Sequence, residues 1–170
     1  MILDLSSFLS GDEQVYYLEG EFETDALLES SDVRIVNPIK YNGEIYKVNR
    51  EHLLNITISY TYESNCDRCL QSTNDSITTV LTGKLKESTG TINDEDELEE
   101  IIFIENNRLN LTAYIWSQVV SSLPMKILCS NDCKGICPTC GIDLNTQSCD
   151  CMGNTIDPRL EKLKELFPKK

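Results

Sequence analysis

Cysteine is the residue type here whose number and spacing can do chemistry. The chain has eight, and six of them fall between Cys129 and Cys151 in the pattern C-x3-C-x3-C-x2-C-x8-C-x-C. At the centre of this stretch, Cys137-Pro138-Thr139-Cys140-Gly141 has the form of a metal knuckle. Two thiolates stand two residues apart, Pro stiffens the turn, and Gly sits where the backbone needs positive φ. An extended segment would project Cys149 and Cys151 to one side as a second two-thiolate arm. Cys137, Cys140, Cys149 and Cys151 therefore form the favoured tetrahedral zinc set.

Cys129 and Cys133 remain, spaced so that one helical turn would bring them to one side. A further pair, Cys66-Asp67-Arg68-Cys69, lies far upstream between two strand-like segments. Cys66, Cys69, Cys129 and Cys133 would make a second set of four. Spacing alone leaves open two full sites, one site with spare thiols, or other groupings within the cysteine-rich stretch. Zinc (Zn2+, one or two ions) is favoured over an iron–sulfur cluster, because CPxCG-type knuckles more often hold zinc. A disulfide framework belongs to an oxidising compartment. Met1-Ile2-Leu3-Asp4 begins no basic leader, and no run of 18 apolar residues exists. A cytoplasmic protein, not bound to a membrane, is the expectation.

The elements around the cysteines read mainly as strands. Ile2 to Leu5, Gln14 to Phe22 and Val33 to Val36 are strand candidates, and a polar turn surrounds Ser10-Gly11-Asp12. Asn42-Gly43, between Ile39–Tyr41 and Glu44–Val48, carries the strongest two-residue hairpin signal in the chain. Leu53 to Tyr62 alternates apolar and polar residues, as does Ile77 to Leu85, so the Cys66–Cys69 loop is read as the tip of a hairpin. Ile101 to Ile104 is one more strand. Asn110 is placed to cap a helix from Leu111 to about Leu123, with Leu111, Ile115 and Val119 at core spacing and Pro124 ending it. Asp157-Pro158 opens a last helix carrying Leu160, Leu163, Leu166 and Phe167. The fold class is α+β, mainly β: a curved antiparallel sheet or partial barrel with a helix and a C-terminal cysteine-rich zinc module. The division expected is residues 1–124 for the β domain and helix, and 125–170 for the zinc module and last helix, packed as one unit.

The 170 residues suffice to bury a sizeable core. The formal net charge is -13, from 28 acidic and 15 basic residues. Such a chain is repelled from bulk nucleic acid and anionic membranes and attracted to basic partners. Residues 1–33 hold nine acids and no Lys or Arg, and 94–100 is an acidic run read as a solvated loop. The balance reverses at Arg159, Lys162, Lys164, Lys169 and Lys170, a basic end able to touch RNA locally. His52, the one histidine, stands in a polar turn and receives no catalytic role. No nucleophile–base pair, phosphate loop or open metal site is legible, so neither an enzyme nor a small-molecule substrate is expected. A dithiol oxidoreductase using Cys66 and Cys69 is an alternative, although that chemistry wants CxxC at a helix N-terminus and the flanks here are strands.

The run from Leu128 through Cys129, Cys133, Cys137, Cys140 and Gly141 to Asn145, followed by Cys149-Asp150-Cys151 and Ile156-Asp157-Pro158-Arg159-Leu160, resembles the C-terminal signature of the YceD family, the large ribosomal RNA subunit accumulation proteins. Cys66-Asp67-Arg68-Cys69-Leu70 resembles that family's CxRCL element, so the likeness spans roughly Asn55 to Leu166. The resemblance implies a non-enzymatic ribosome-biogenesis factor, supporting synthesis, processing or accumulation of large-subunit ribosomal RNA. Its implied partner is a large-subunit ribosomal precursor or a basic ribosomal protein, since the family's gene often neighbours that of a small basic one. Family members from other bacterial branches keep CxRC but lack most of the downstream cysteines, which implies a stabilising role for the downstream metal. The alternative from a different class is a zinc-stabilised adaptor outside ribosome assembly.

Overall fold

The computed structural model describes residues 1–24, 32–49, 51–88 and 100–152. They fall into two compact units. One comprises Met1–Ser64 and Thr73–Lys126, the other Asn65–Ser72 and the chain from Ile127 onward. The acidic run at 94–99 and the helix expected over 157–167, with its basic end, lie outside the described residues.

The first unit is built on a five-stranded sheet in chain order: β2 (Val15–Phe22), β3 (Arg34–Val48), β4 (Glu51–Asn65), β5 (Ser72–Glu87) and β6 (Ile101–Ile104). A two-stranded sheet pairs β1 (Ile2–Asp4) with β7 (Arg108–Asn110). Both sheets are open, and neither closes into a barrel. The alternation read from the sequence sets the faces. Leu54, Ile56, Ile58, Tyr60 and Tyr62 of β4 are buried, while Asn55, Thr57, Ser59 and Thr61 between them are half-buried on the other face. Tyr41 and Ile45 of β3 continue the buried face beside Ile58 and Leu54.

The helix after β7, α2 (Leu111–Ser122), contributes Leu111, Ile115 and Val119 to the core, as its spacing predicts. Tyr60 ties it down. Its hydroxyl donates to the Val119 carbonyl at 3.1 Å and shares a hydrogen bond with Ser122 Oγ at 2.7 Å. Asn110 occupies the position before the helix without capping it by its side chain. Leu123 turns extended, as a residue before proline must.

Three differences from the sequence reading have physical causes. Asn42-Gly43 makes no turn. Both residues lie inside β3, paired with Glu19 and Leu18 on one side and with Thr57 and Ile56 on the other. The glycine serves close approach, because a Cβ at Gly43 would stand 2.1 Å from the Asn55 carbonyl oxygen. The β3–β4 hairpin closes further on: Val48 pairs with Glu51, and Asn49 takes φ 47°. β3 also runs on through Asn37-Pro38, past the Val33–Val36 strand candidate, and its pairing with β4 shifts between Val36 and Lys40.

Second, the sheet is mixed rather than antiparallel, since β6 runs parallel to β5. A parallel neighbour needs a long return connection, and the chain length between Glu87 and Ile101 allows one. Third, the polar turn near Gly11 is preceded by a short helix, α1 (Ser6–Ser10), that buries Phe8. Lys47 Nζ donates to the Phe8 and Gly11 carbonyls at 2.7 Å each and lies 4.7 Å from the centre of the Phe8 ring. A cation is thereby fixed at the helix C-terminus, where the dipole favours it.

Candidate metal centres

All eight cysteines lie in the second unit, and their sulfurs converge in two groups of four. Cys66, Cys69, Cys129 and Cys133 form one, and Cys137, Cys140, Cys149 and Cys151 the other, with the ligand atoms of each group within 4.8 Å of one another. No cysteine is in a disulfide.

The first quartet joins two segments distant in sequence. Cys66 and Cys69 sit on the connection between β4 and β5, whose turn is closed by Leu70 N–H donating to the Cys66 carbonyl at 2.9 Å and Cys66 N–H to that of Gln71 at 2.8 Å. Cys129 and Cys133 follow α2 on a turn closed by Cys133 N–H and the Ser130 carbonyl at 3.1 Å, not on the helical turn expected. The sulfur of Cys66 lies 3.8 Å from that of Cys133, and that of Cys69 lies 3.5 Å from that of Cys129. These separations are far beyond a disulfide bond of about 2.05 Å. They match the edge of about 3.8 Å that a tetrahedron with metal–sulfur bonds of about 2.3 Å requires.

The two residues between the first cysteines, to which the sequence reading gave no role of their own, lock the segments together. Asp67 N–H donates to the Ile127 carbonyl, and Ile127 N–H returns the bond to Asp67 Oδ2, both at 2.8 Å. Arg68 Nη1 donates to the Cys133 carbonyl at 2.7 Å, and the Arg68 carbonyl accepts from Ile136 N–H at 3.1 Å. Asn145 was also missed. Its Oδ1 accepts from Lys134 N–H at 2.7 Å, and its Nδ2 donates to the Cys133 sulfur at 3.5 Å. The available signal was a charged pair enclosed by a CxxC, and an Asp-x-Asn turn two residues beyond a knuckle.

The second quartet is local. Thr139 N–H points at the Cys137 sulfur at 3.4 Å, and Gly141 N–H closes the turn on the Cys137 carbonyl at 2.8 Å. Gly141 takes φ 74°, the positive value the sequence called for. Leu70 stands at the equivalent place in the first knuckle with φ 62°, a left-handed conformation that an L side chain resists. Cys149 and Cys151 are not on an extended arm. Residues Asp150–Met152 form a single 3-10 turn, whose short rise lets cysteines two apart reach one centre.

The thiols are tuned alike in both groups. Burial pushes the Cys66 thiol up, but the backbone N–H groups of Cys69, Cys129 and Arg68 outweigh it and bring it down to about 6. The Gln71 N–H favours the Cys69 thiolate, yet burial and the neighbouring Cys129, Cys66 and Cys133 thiols push it up to about 12. In the second group the N–H groups of Cys140 and Thr139 bring Cys137 down to about 6. Cys151 is pushed up to about 12 by its hydrogen bond to Cys140, burial, and the charges of Cys140 and Cys149. Without a cation, four thiols this close resist full ionisation; a dication at the centre removes that penalty. The donor set in each group fits a thiophilic tetrahedral metal.

Comparison with known proteins places the chain. The family model described as "Large ribosomal RNA subunit accumulation protein YceD" matches residues 54–167. An uncharacterized protein of Mycobacterium tuberculosis is 27% identical over 111 residues, covering 65% of this chain and 53% of that protein. The chain thus spans about half the length of this mycobacterial relative. The uncharacterized protein YlbN of Bacillus subtilis is 26% identical over 159 residues, covering 86% of this chain and 88% of its own length. No solved structure matches. The chain belongs to the YceD family, and both cysteine quartets lie within the matched residues.

Proposed function

We propose that this chain is a non-enzymatic factor supporting the accumulation of large-subunit ribosomal RNA, with each cysteine quartet holding one zinc ion in a structural role. The family match over residues 54–167 carries the ribosomal part of this reading. The paired tetrahedral donor sets support the metal part. When bound, zinc contributes folding free energy, and four thiolates leave it no open position for a substrate or water. The chain's own groups hold the metal and arrange the site: Asp67 and Arg68 fasten the two segments, and backbone N–H groups favour the thiolates. The net charge of -13 suits a basic ribosomal protein or a precursor that presents one, met in the cytoplasm.

The test is genetic and quantitative. Deleting the gene should lower the ratio of large-subunit to small-subunit ribosomal RNA, and the wild-type chain should restore it. An unchanged ratio on deletion would remove the ribosomal reading.

One observation favours a redox dithiol instead, the Cys66 thiol brought down to about 6. Cys66 is fully buried, however, and its knuckle joins two strands. Turnover of a disulfide substrate by the protein as purified, with Cys66 and Cys69 free of metal and open to alkylation, would establish that activity.

A further inference from the structure

The five-stranded sheet of the first unit has a second face, which carries the half-buried and exposed members of each alternation. On β2, β3 and β4 the pairing register lays out two rows there. Tyr17, Glu44 and Asn55 form one, and Glu19, Asn42 and Thr57 the next. Together with the backbone of Leu18 and Gly43, these residues line a shallow depression of ≈ 390 Å³. Tyr17 is 79% exposed, the most exposed aromatic ring of the sheet among the described residues. Neither Glu19 nor Glu44 forms an ion pair with any described residue. Glu21 continues the exposed row of β2, with Lys40 opposite it. Lys84, on β5, is engaged with Glu51.

We propose that this face, around Tyr17, Glu19, Asn42 and Glu44, docks an extended arginine- and lysine-rich segment of a partner protein. An arginine side chain suits all three kinds of group present. Its planar face stacks on a tyrosine ring, its fork engages a carboxylate, and its remaining N–H groups reach amide oxygens. Glu19 and Glu44 lie diagonally across the β2–β3 pair, about 7–8 Å apart, a spacing that successive outward side chains of an extended segment, about 6.7 Å apart, can meet. Charge decides against the other occupants. The two carboxylates repel the phosphates of RNA, and a second copy of this chain would bring another net charge of -13 to the same place. The proposal rests on the reading of the chain as a binding factor with a basic partner, and it assigns that binding to one face.

Glu19 and Glu44 stand on a solvated face, so Glu19→Gln with Glu44→Gln leaves the core and the cysteines untouched. The probe is a fluorescein-labelled peptide of alternating arginine and lysine, titrated into the metal-loaded full chain by anisotropy at low and moderate salt. The double variant should bind about tenfold more weakly, and Tyr17→Ala should weaken binding as well. A control with the same charge loss elsewhere, Glu13→Gln with Glu105→Gln, should stay within about twofold. Equal weakening in both double variants would overturn the proposal, as would no binding by the wild type. Tyr17-dependent self-association, or tighter binding of a single-stranded RNA than of the peptide, would overturn it too. A complementation arm separates this surface from the broader reading. If wild type restores large-subunit RNA and the Glu19/Glu44 variant does so equally, the surface is wrong and the ribosomal role stands. If wild type restores nothing, the ribosomal role itself fails.

Discussion

The two cysteine quartets share a donor set and differ in nearly everything around it. Three of the first quartet's four members are interior to its unit: Cys66, Cys69 and Cys133 are buried together with Leu128 packed on them, and only Cys129 is exposed. The second is superficial, with Cys137 buried, Cys149 half-buried, and Cys140 and Cys151 exposed. The first unites ligands far apart in the chain, Cys69 and Cys129 being 60 residues apart. In the second, Cys140 and Cys149 are nine apart. From a flexible chain, closing the longer loop costs about 1.7 kcal/mol more in entropy. The first quartet offsets that cost with the bonds of Asp67 and Arg68 across the two segments and that of Asn145 to the Cys133 sulfur. Identical ligands can thus serve a site that holds distant segments together and another that organises one short loop.

This contrast predicts unequal consequences of removing one ligand. Cys66→Ser should cost the first metal and expose residues 65–72 and 127–136 to rapid proteolysis, forfeiting on the order of 10 kcal/mol of metal-coupled folding. Cys140→Ser should cost only the second metal and leave that region protected. Limited proteolysis with mass spectrometry reads both, and equal damage from the two variants would erase the distinction. Asn145→Ala tests the hydrogen bond to the Cys133 sulfur. It should weaken the first metal about 10- to 100-fold in competition with a chromophoric chelator while the second stays unchanged. The smallest effect concerns the knuckle backbones. Leu70→Gly should stabilise the first site by about 1 kcal/mol, and Gly141→Leu should destabilise the second by a similar amount, because the left-handed conformation is the same at both positions. Thermal melts of the metal-loaded protein measure both.

What was legible in the sequence follows from the range of each signal. The β4 and β5 alternation, α2 and the Cys137 knuckle are local patterns, and the structure reproduces them. Membership of the first quartet was legible only as one grouping among several, because spacing constrains neighbours and says little about residues 60 apart. Asn42-Gly43 misled because a glycine suits both a turn and a place where a Cβ would stand 2.1 Å from the next strand's carbonyl oxygen; only the flanking strands on both sides distinguish them. β7 and α1 are too short to display a period. Leu70 gave no sign of its backbone, since nothing in a leucine's identity announces φ 62°.

Two metal centres of unequal burial are the central claim, and metal content with thiol protection tests it most directly. Protein purified without added metal should carry two zinc ions per chain by elemental analysis, with all eight thiols resisting alkylation. On addition of a chelator, thiols should emerge in two steps of four, those of Cys137, Cys140, Cys149 and Cys151 first. Freely alkylated cysteines with no bound metal, a single ion with four reactive thiols, or release in one step would contradict the account.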